Sequence, residues 1–346
     1  MRRDAIPDLV SSDPCGVAQH AWQAATACSD DIATGDTARR WRWLADTTGR
    51  DVVVGKLLES HLDALSILNE VLGADAGQEL RARVLPVDGL WGVWASEGPA
   101  GAAVRVQTHT ADGTVLLSGR KCWCSGAADV GAALVTARDA DDRSQLFAVA
   151  MAQPAVTVTE EGWSAVGMAG TRSVDVLFDG AVAVPIGAPG AYLERHGFWH
   201  GAAGVAACWH GAATAIAAPL RDRVAQRGAE ADGLLAAHLG AVDCALAGSA
   251  CTLRAAAEAV DGHRAGGTAF GRREALRVRG IVEHAAATVI DRVGRALGAG
   301  PLCRDAAHAR RVADLSVFLR QSHAEWDLAV LGRLGAAVEG DTAWML

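Results

Sequence analysis

The stretch that decides the fold runs from Trp91 to Pro185, between two regions of helical periodicity. It opens with Trp91-Gly92-Val93-Trp94-Ala95-Ser96-Glu97-Gly98-Pro99-Ala100-Gly101 and continues with Gly119-Arg120-Lys121-Cys122-Trp123-Cys124-Ser125-Gly126-Ala127-Ala128-Asp129. A third piece, Gly167-Met168-Ala169-Gly170-Thr171-Arg172-Ser173, leads into Val174-Asp175-Val176-Leu177-Phe178 and ends at Val184-Pro185. Short apolar runs that end in glycine-containing loops are typical of β-strands. The stretch therefore predicts a β-module.

The pattern inside this module predicts several further strands. Val104 to Thr110 alternates between apolar and polar residues, and Asp112-Gly113 is a hairpin signal before Thr114 to Leu117. The other predicted strands are Ala132–Ala137, Leu146–Met151, Ala155–Thr159 and Ser173–Phe178. About seven strands with no helix between them favour an antiparallel barrel or sandwich over a parallel sheet.

The flanking regions predict helices. On the N-terminal side these are Ala18–Ala27 and Asp51–Leu72, and Gly73 to Gly77 ends the second one. On the C-terminal side they are Gly201–Ala218, stopped near Pro219, then Leu234–Asp261, Arg272–Leu297 and, after the break Gly298–Pro301, Ala306–Leu334. The predicted fold class is a multidomain α+β protein. It has an N-terminal helical domain (1–85), a central antiparallel β-barrel or sandwich (86–195) and a C-terminal four-helix bundle (196–346).

Composition excludes several classes of function. The chain has 346 residues, 51% of them hydrophobic, and a formal charge of −8, which gives no basic footprint for nucleic acid. It shows neither an unbroken apolar run of membrane-spanning length nor a signal peptide, so we expect a soluble cytoplasmic protein with no membrane partner. The eight cysteines have no zinc spacing, and Cys122-Trp123-Cys124 is too tight for an ordinary metal pair. We expect reduced thiols in the core and no metal site.

Two hydroxyl groups, Ser96 and Ser125, lie at predicted strand ends, each close to a tryptophan and a glycine. An aromatic wall with hydrogen-bonding groups suits a flat, polar, aromatic ligand such as a flavin ring. The alternative is that Trp123 is a core residue and that both serines belong to turns. Glu97 is either a catalyst or a structural acceptor for backbone N–H groups, and the structural role is favoured.

Four motifs in this order resemble the acyl-CoA dehydrogenase superfamily of flavoproteins. Lys121 to Asp129 is similar to the family pattern K-x-W-I-T-N-x-x-x-A-D, and Ala95 to Gly101 is similar to T-E-P-x-A-G-S. Gly167 to Pro185 resembles G-M-R-x-S-x-T-x-x-V-x-F-x-x-V-x-V-P, and Leu297 to Gly300 resembles a late L-G-G-x-G turn. The resemblance covers nearly all of the chain.

The resemblance implies a homodimer or homotetramer that binds FAD. Trp123, with Trp94 in the neighbouring loop, would flank the ring. Ser125 would form a hydrogen bond near N5, and Ser96 would form one near the pyrimidine edge. Such groups stabilise charge that develops on a reduced flavin.

For the diphosphate of FAD, the resemblance implies an Arg-x-x-Phe-Gly segment and the late glycine turn. The segment is absent, because Arg227 is followed by Gly228-Ala229-Glu230. Arg227 is then either a phosphate ligand or a solvated helix end. At the glycine turn the candidate ligands are Arg295, Gly298 and Gly300.

The catalytic base departs from the family. Oxidation between the α- and β-carbons needs a carboxylate near the α-carbon while hydride leaves to flavin N5. Many members use a Glu that follows the Asp of an R-D pair by eight residues. Here Asp314 stands where that pair would be, and the residue at the Glu position is Ser322. The second base position known in the family, near Gly201-Ala202, is not acidic either. The remaining candidates are His200, Ser322, His323 and Glu325.

Helical spacing ranks these candidates. At about 100° per residue, the apolar residues Leu315, Phe318, Leu319 and Trp326 define one face of the predicted last helix. Ser322 and His323 lie within roughly 60° of its centre and Glu325 roughly 100° away, so the first two are expected to face inward. The alternatives are an interface position for His323 and a solvated position for Glu325.

The candidates leave three functions open. The leading one is an FAD-dependent dehydrogenase that oxidises an acyl group, bound to CoA or a carrier, or an unusual substrate. A separate flavoprotein could then serve as its redox partner. His323 with Ser125 is also similar to the monooxygenases on this fold, which use reduced flavin and a C4a-hydroperoxyflavin. Ala102, where the family has a Ser near the thioester, argues against a CoA substrate. The third function is a flavin-binding paralogue without turnover.

Overall fold

The computed structural model describes residues 14–27, 36–85, 89–99, 103–228, 232–267, 270–337 and 344. These fall into two compact units. The first contains the described residues of 1–36 and 53–198, and the second those of 37–52 and 199–346. The predicted boundary at Pro86 and the loop residues Ala100 to Ala102 lie outside the described residues. The three-domain division stays a prediction.

Along the chain, helices precede and follow the strands, as predicted. Their bounds are α1 Pro14–Ala27, α2 Thr37–Arg50, α3 Val52–Leu72, α4 Ala74–Val84, α5 Ala191–Glu194, α6 Gly197–Arg227, α7 Gly233–Arg264, α8 Arg272–Leu297, α9 Ala299–Arg304, α10 Ala306–Phe318 and α11 Glu325–Ala336. Short 3₁₀ turns cover Ala169–Thr171 and Leu319–Gln321.

The central strands form one seven-stranded sheet. They are β1 Trp91–Trp94, β2 Val104–His109, β3 Val115–Cys124, β4 Ala132–Arg138, β5 Ser144–Ala150, β6 Val156–Val158 and β7 Val174–Ile186. The order is β1-β4-β2-β3-β7-β5, the sheet closes on itself because β4 also pairs with β5, and β6 pairs with β7. The predicted barrel is therefore present, but it is not antiparallel throughout, because β4 pairs in parallel with β1 and β2.

Helices α3 and α4 pack against the barrel and form the core of the first unit. Ile67 and Leu68 of α3 lie with Trp91, Leu134 and Leu146 in one buried cluster. Each such side chain removed from water stabilises the fold by about 1.5–3 kcal/mol. Through Trp91 this core holds the start of β1, the strand that leads into the loop of Ser96.

Three helix boundaries differ from the prediction. Gly73 ends α3 with a φ of 86°, as expected, but α4 begins at the next residue and not after Gly77. Helix α6 continues through Pro219, because a buried face that includes Ile216 and Leu220 holds it in the core on both sides of the proline. The predicted helix Ala306–Leu334 is interrupted between Phe318 and Glu325.

The second unit is organised around α6. Trp209 of α6 is fully buried, and the Arg279 guanidinium of α8 lies 4.7 Å from the centre of its ring. Helix α2 approaches α6 at Gly211, where a Cβ atom would lie 2.0 Å from the Ala45 carbonyl oxygen. The close approach therefore requires glycine at this position. The structure does not establish a four-helix bundle.

Two helices are long and apolar enough to cross a membrane by length and composition, which is weak evidence by itself. The apolar window of α6 is 72% buried within the chain, as in the core helix of a soluble protein. The corresponding window of α7 is only 17% buried, so one face of this helix is apolar and is left uncovered by the part of the chain that the structure describes.

The cysteines only partly follow the prediction of core thiols. Of those whose side chains are described, Cys122, Cys124 and Cys208 are buried. Three others, Cys244, Cys251 and Cys303, are exposed. Cys244 and Cys251 lie on the exposed face of α7, which is apolar around most of its circumference. An apolar helical stretch therefore does not by itself mark a core position.

Candidate functional site

Trp123 is exposed at the end of β3, although its neighbours Cys122 and Cys124 are buried. The pairing of β3 with β7 shifts register between Lys121 and Cys124, and Trp123 has a left-handed φ of 56°. A bulge of this kind turns a side chain away from the alternation of its strand. As a result 48% of Trp123 is accessible to solvent, and the alternative of a core tryptophan is wrong.

The loop that follows Trp123 is held by a chain of hydroxyl groups. Ser125 Oγ lies 2.8 Å from Ser173 Oγ, which lies 2.8 Å from Thr171 Oγ1. Thr171 Oγ1 donates in turn to the Met168 carbonyl oxygen at 2.8 Å. Ser173 and Thr171 are buried, whereas Ser125 is partly exposed. Ser125 is thus the accessible end of a chain that begins inside the unit.

Trp94 connects the two candidate loops. Its indole N–H donates to the Ser125 carbonyl oxygen at 3.1 Å, and only 2% of the residue is exposed. This places Trp94 beneath the site, as a support for Ser125 and not as an accessible wall. Ser96 is exposed in the loop that follows Trp94.

Lys121 and Glu97 fix the loop that contains Ser96. The Lys121 ammonium donates to Thr136 Oγ1 at 2.7 Å, and Thr136 Oγ1 donates to the Ala95 carbonyl oxygen at 3.3 Å. Burial lowers the pKa of Lys121. Glu97 pairs with the Arg138 guanidinium at 3.1 Å. This ion pair supports the structural role predicted for Glu97. Among the described residues its partner is a side-chain cation and not a backbone N–H group.

Three residues around this region have left-handed backbones that only glycine adopts freely. Besides Trp123, they are Met168 with a φ of 58° and Arg172 with a φ of 39°. Arg172 is anchored to Asp129 by an ion pair of 2.9 Å. Strained residues of this kind cluster at ligand sites, where packing enforces a geometry that the isolated chain would avoid.

In the second unit, His200 lies near the start of α6 and is 7% exposed. Its Nε2 lies 3.2 Å from His263 Nδ1 of α7, and its ring packs edge-on against Phe270. Two neutral imidazoles make this contact when one nitrogen donates and the other accepts. His200 is therefore the buried member of a partly buried histidine pair.

Ser322, His323 and Glu325 do not lie on one helix. The chain leaves α10 at Phe318, passes through the turn Leu319–Gln321, is extended at Ser322 and has a left-handed φ of 45° at Ala324. Ser322 is buried, and its hydroxyl accepts from the Ala324 N–H at 3.1 Å. The prediction that Ser322 faces inward holds.

The inward orientation predicted for His323 is wrong, because the helical angles on which it rested do not apply across this break. Its side chain is 78% exposed, and Nδ1 lies 3.5 Å from an Asp327 carboxylate oxygen. Trp326, placed on the apolar face by the same reasoning, is 76% exposed. Glu325 is exposed, in agreement with its solvated alternative.

The predicted diphosphate ligands also lie in the second unit. Arg227 is exposed at the end of α6, and Ala229-Glu230 lie outside the described residues. Arg295 forms an exposed ion pair with Asp291 at 2.8 Å. Gly298 ends α8 with a φ of 66°, and Gly300 lies within α9. Their roles toward a ligand stay predictions.

Comparison with solved structures identifies the architecture. FMN-bound TdsC from Paenibacillus sp. A11-2 matches 91% of this chain over 89% of its own, with a TM-score of 0.79 and 16% identity. Butyryl-CoA dehydrogenase from Megasphaera elsdenii matches 93% of this chain over 90% of its own length, with a TM-score of 0.77 and 17% identity. Methanesulfinate monooxygenase MsuC from Pseudomonas fluorescens matches 94% of this chain over 96% of its own length, with a TM-score of 0.68 and 15% identity.

The chain has the acyl-CoA dehydrogenase fold. No protein-family model matches its sequence, and no curated protein does. The fold therefore rests on the architecture and on the four short motifs. This chain has an exposed tryptophan at the end of β3, and Ser322 stands at the position where the resemblance led us to expect a glutamate base.

In each unit, residues that contact the candidates were not predicted from the sequence. Ser173 and Thr171 complete the hydroxyl chain, and Arg279 donates to the Gln321 carbonyl oxygen at 3.0 Å, next to Ser322. Asp327 orients His323. One signal in the sequence could have pointed to the contact between Ser125 and Ser173. It is the position of Ser173 in the third of the four motifs.

Proposed function

We propose that this chain is a flavin-dependent oxidoreductase that binds its cofactor against Trp123 and Ser125. The observation that carries the proposal is the exposed indole of Trp123, held by a left-handed backbone beside a partly exposed hydroxyl. Such strain persists only where the surrounding structure enforces it. The likeness to FMN-bound TdsC, and to a dehydrogenase and a monooxygenase on the same fold, supports the proposal.

The residues present fit a flavin ring. Trp123 supplies a flat apolar surface, which stabilises a stacked ring by burial and aromatic contact. Ser125 supplies a polar atom at the end of an ordered hydroxyl chain, and Ser96 supplies a second hydroxyl from a loop fixed by Lys121 and Glu97. A bound flavin accepts hydride when it is oxidised and delivers electrons to dioxygen when it is reduced.

FAD is the leading form of the flavin in this proposal, as the resemblance to the acyl-CoA dehydrogenase superfamily implies. Arg227, Arg295, Gly298 and Gly300 would then hold the diphosphate. The missing Phe-Gly after Arg227 and the ion pair of Arg295 with Asp291 make FMN the alternative. TdsC is the neighbour that holds FMN.

Of the two reactions, the reduced-flavin monooxygenase is favoured by Ser322. A dehydrogenase of the acyl-CoA type needs a carboxylate to remove the α-proton. Ser322 stands at that position, and its hydroxyl is already bonded to the Ala324 N–H. A monooxygenase does not need this base. His200 and Glu325 keep only predicted catalytic roles.

The acyl-CoA-type dehydrogenase is the second candidate, and the contact of His323 with Asp327 favours it. An exposed imidazole oriented by a carboxylate can remove a proton from a substrate carbon. The base would then be His323 in place of the usual Glu, and the substrate an acyl group on CoA, on a carrier or on an unusual scaffold. A redox partner flavoprotein would reoxidise the cofactor.

One pair of assays on the purified protein tests the proposal. Substrate consumption that needs both reduced flavin and dioxygen is expected for the monooxygenase. Bleaching of the bound oxidised flavin by an acyl thioester without dioxygen would instead assign the dehydrogenase. Flavin binding without either reaction indicates a paralogue without turnover, and a folded protein that binds no flavin rejects the proposal.

We propose that the protein is cytoplasmic and that a second copy covers the exposed face of α7, in a homodimer or homotetramer. This face carries only small side chains along its centre, namely Ala237, Gly240, Cys244, Ala247, Gly248, Cys251 and Ala255. Asp243 and Arg254 lie on one edge, about equally far on either side of Gly248. Two antiparallel copies of α7 that cross at Gly248 would therefore pair each Asp243 with the partner's Arg254. The proposed bundle of α6, α7, α8 and the α10–α11 segment would present this face.

A further inference from the structure

The hydroxyl chain of the first unit has a fixed direction. A carbonyl oxygen has no proton to give, so Thr171 donates its single hydroxyl proton to the Met168 oxygen. The contact between Thr171 and Ser173 then requires Ser173 to donate. Because the proton of Ser173 is used there, the contact between Ser125 and Ser173 requires Ser125 to donate. All three protons point inward, from Ser125 toward Met168.

The inner end of the chain is firmly anchored. The Met168 carbonyl oxygen also accepts from the Thr171 N–H at 3.0 Å and from the Trp163 indole N–H at 3.1 Å. The Thr171 carbonyl oxygen accepts from the Gly126 N–H at 2.7 Å, which fixes Thr171 against the loop of Ser125. Thr171 is 1% exposed and Ser173 is 4% exposed, so water does not compete for their protons.

We propose that this chain makes Ser125 a hydrogen-bond acceptor toward its ligand, so that the site selects reduced over oxidised flavin. The inference rests on the proposed function, in which Ser125 lies near N5. With its proton committed to Ser173, Ser125 Oγ presents only lone pairs to the ligand. Fully reduced flavin has an N–H at N5, which donates to such an oxygen. Oxidised flavin has a bare lone pair there and meets a second acceptor.

The direct measurement is the affinity of the full-length protein for each redox form. Oxidised and reduced FAD and FMN are titrated anaerobically, and the midpoint potential of the bound flavin is measured by spectroelectrochemistry. One hydrogen bond gained or lost predicts about tenfold tighter binding of the reduced form. For a two-electron couple, a tenfold ratio raises the midpoint potential by about 30 mV.

A matched pair of variants at Thr171 isolates the direction of the chain. Thr171→Val keeps the shape but removes the acceptor for Ser173, so the proton of Ser173 turns to Ser125 and the proton of Ser125 turns to the ligand. The preference for reduced flavin is then expected to fall about tenfold. Thr171→Ser keeps the hydroxyl and should keep the preference, and Ser125→Ala should abolish it. Thr157→Val, on the exposed side of β6, is the control.

The outcomes separate this inference from the proposed function. Circular dichroism and thermal melting show which variants are folded, and Ser173→Ala replaces Thr171→Val if the latter is not. Equal affinity of the wild type for both redox forms overturns the inference, as does an unchanged preference in a folded Thr171→Val or Ser173→Ala. If the folded wild type binds neither form of flavin, the proposed function fails, and the inference fails with it.

Discussion

At the scale of single residues, Trp123 is the residue whose conformation most needs an explanation. A left-handed backbone at a residue with a bulky side chain costs about 1–2 kcal/mol, and exposing an indole forgoes the gain of burying it. Met168 and Arg172 carry the same kind of strain close to the hydroxyl chain. The flavin ring that we propose would cover the indole and so offset the cost of its exposure.

The replacement Trp123→Ala tests this explanation. Loss of aromatic burial and stacking should weaken flavin binding by about 1–3 kcal/mol. Trp123→Phe keeps a ring at the same place and should retain most of the affinity. Isothermal titration with oxidised and reduced flavin measures both variants, and an affinity for Trp123→Ala equal to that of the wild type would remove Trp123 from the site.

His61 couples the stability of the first unit to pH. Its Nδ1 accepts from the Trp91 N–H at 3.1 Å at the start of β1, and burial lowers its pKa to about 4. The folded protein holds His61 neutral, whereas the unfolded chain takes up a proton below about pH 6.5. The stabilising contribution is therefore complete above pH 6.5 and is lost as pH falls toward 4.

The shift corresponds to about 3 kcal/mol of unfolding free energy lost across this window. We expect urea unfolding of the wild type to show a midpoint that falls between pH 6.5 and pH 4. His61→Gln, which cannot take up the proton, should lower stability at pH 7 but flatten the slope. An identical slope in both proteins would assign the acid sensitivity to other groups.

At the scale of elements, local sequence patterns succeeded where glycine marks a boundary. Arg272–Leu297 was predicted to the residue because Gly271 and Gly298 flank an uninterrupted amphipathic segment. The hairpin at Asp112-Gly113 joins β2 to β3 as expected. At these boundaries the backbone preference of a few residues decides the structure, and those residues are recognisable in the sequence itself.

The misplaced boundaries have tertiary causes. Pro219 lacks an N–H for the helix, but the buried side chains of α6 outweigh the lost bond. The break between Phe318 and Glu325 contains no glycine or proline. It is held by contacts from distant residues, including the bond of Arg279 to the Gln321 carbonyl oxygen. Such contacts leave no local periodicity, and the inferred orientation of His323 failed for this reason.

The candidate site likewise combines residues that local sequence suggests with contacts that only the fold creates. Trp123 and Ser125 could be proposed from residue type and position, because strand ends with an aromatic and a hydroxyl are chemically suggestive. The direction of the hydroxyl chain depends on Ser173 and Thr171, more than forty positions along the sequence. Only the three-dimensional structure brings these hydroxyls together and orders their protons.

At the scale of the whole molecule, the apolar face of α7 is the feature that a single chain does not account for. Only 17% of its apolar window is buried within the chain. Contiguous exposed apolar surface is a common feature of interaction sites, which supports the proposed assembly. Its small side chains allow another helix to approach closely, and the placement of Asp243 and Arg254 is self-complementary for an antiparallel second copy.

The variant Gly248→Leu tests this assembly at the proposed crossing point. A Cβ atom at Gly248 meets no heavy atom within 4 Å, so the monomer accommodates the side chain. Leucine also favours the helix over glycine by about 0.5–1 kcal/mol. The variant is therefore expected to unfold no more readily than the wild type but to dissociate at least about tenfold more easily, because the crossing helices can no longer approach.

Gly332→Leu is the matched control for the same test, because Gly332 is an exposed helical glycine of α11 with equally open surroundings. Gly332→Leu should stabilise α11 without changing the mass of the assembly in solution. Reversing one charge, in Asp243→Arg or Arg254→Asp, should weaken the assembly, and the double reversal should restore it if the two residues pair between copies. Multi-angle light scattering across a dilution series measures all of these proteins. A monomeric wild type, or a Gly248→Leu protein that assembles like the wild type, would show that a second α7 does not cover this face.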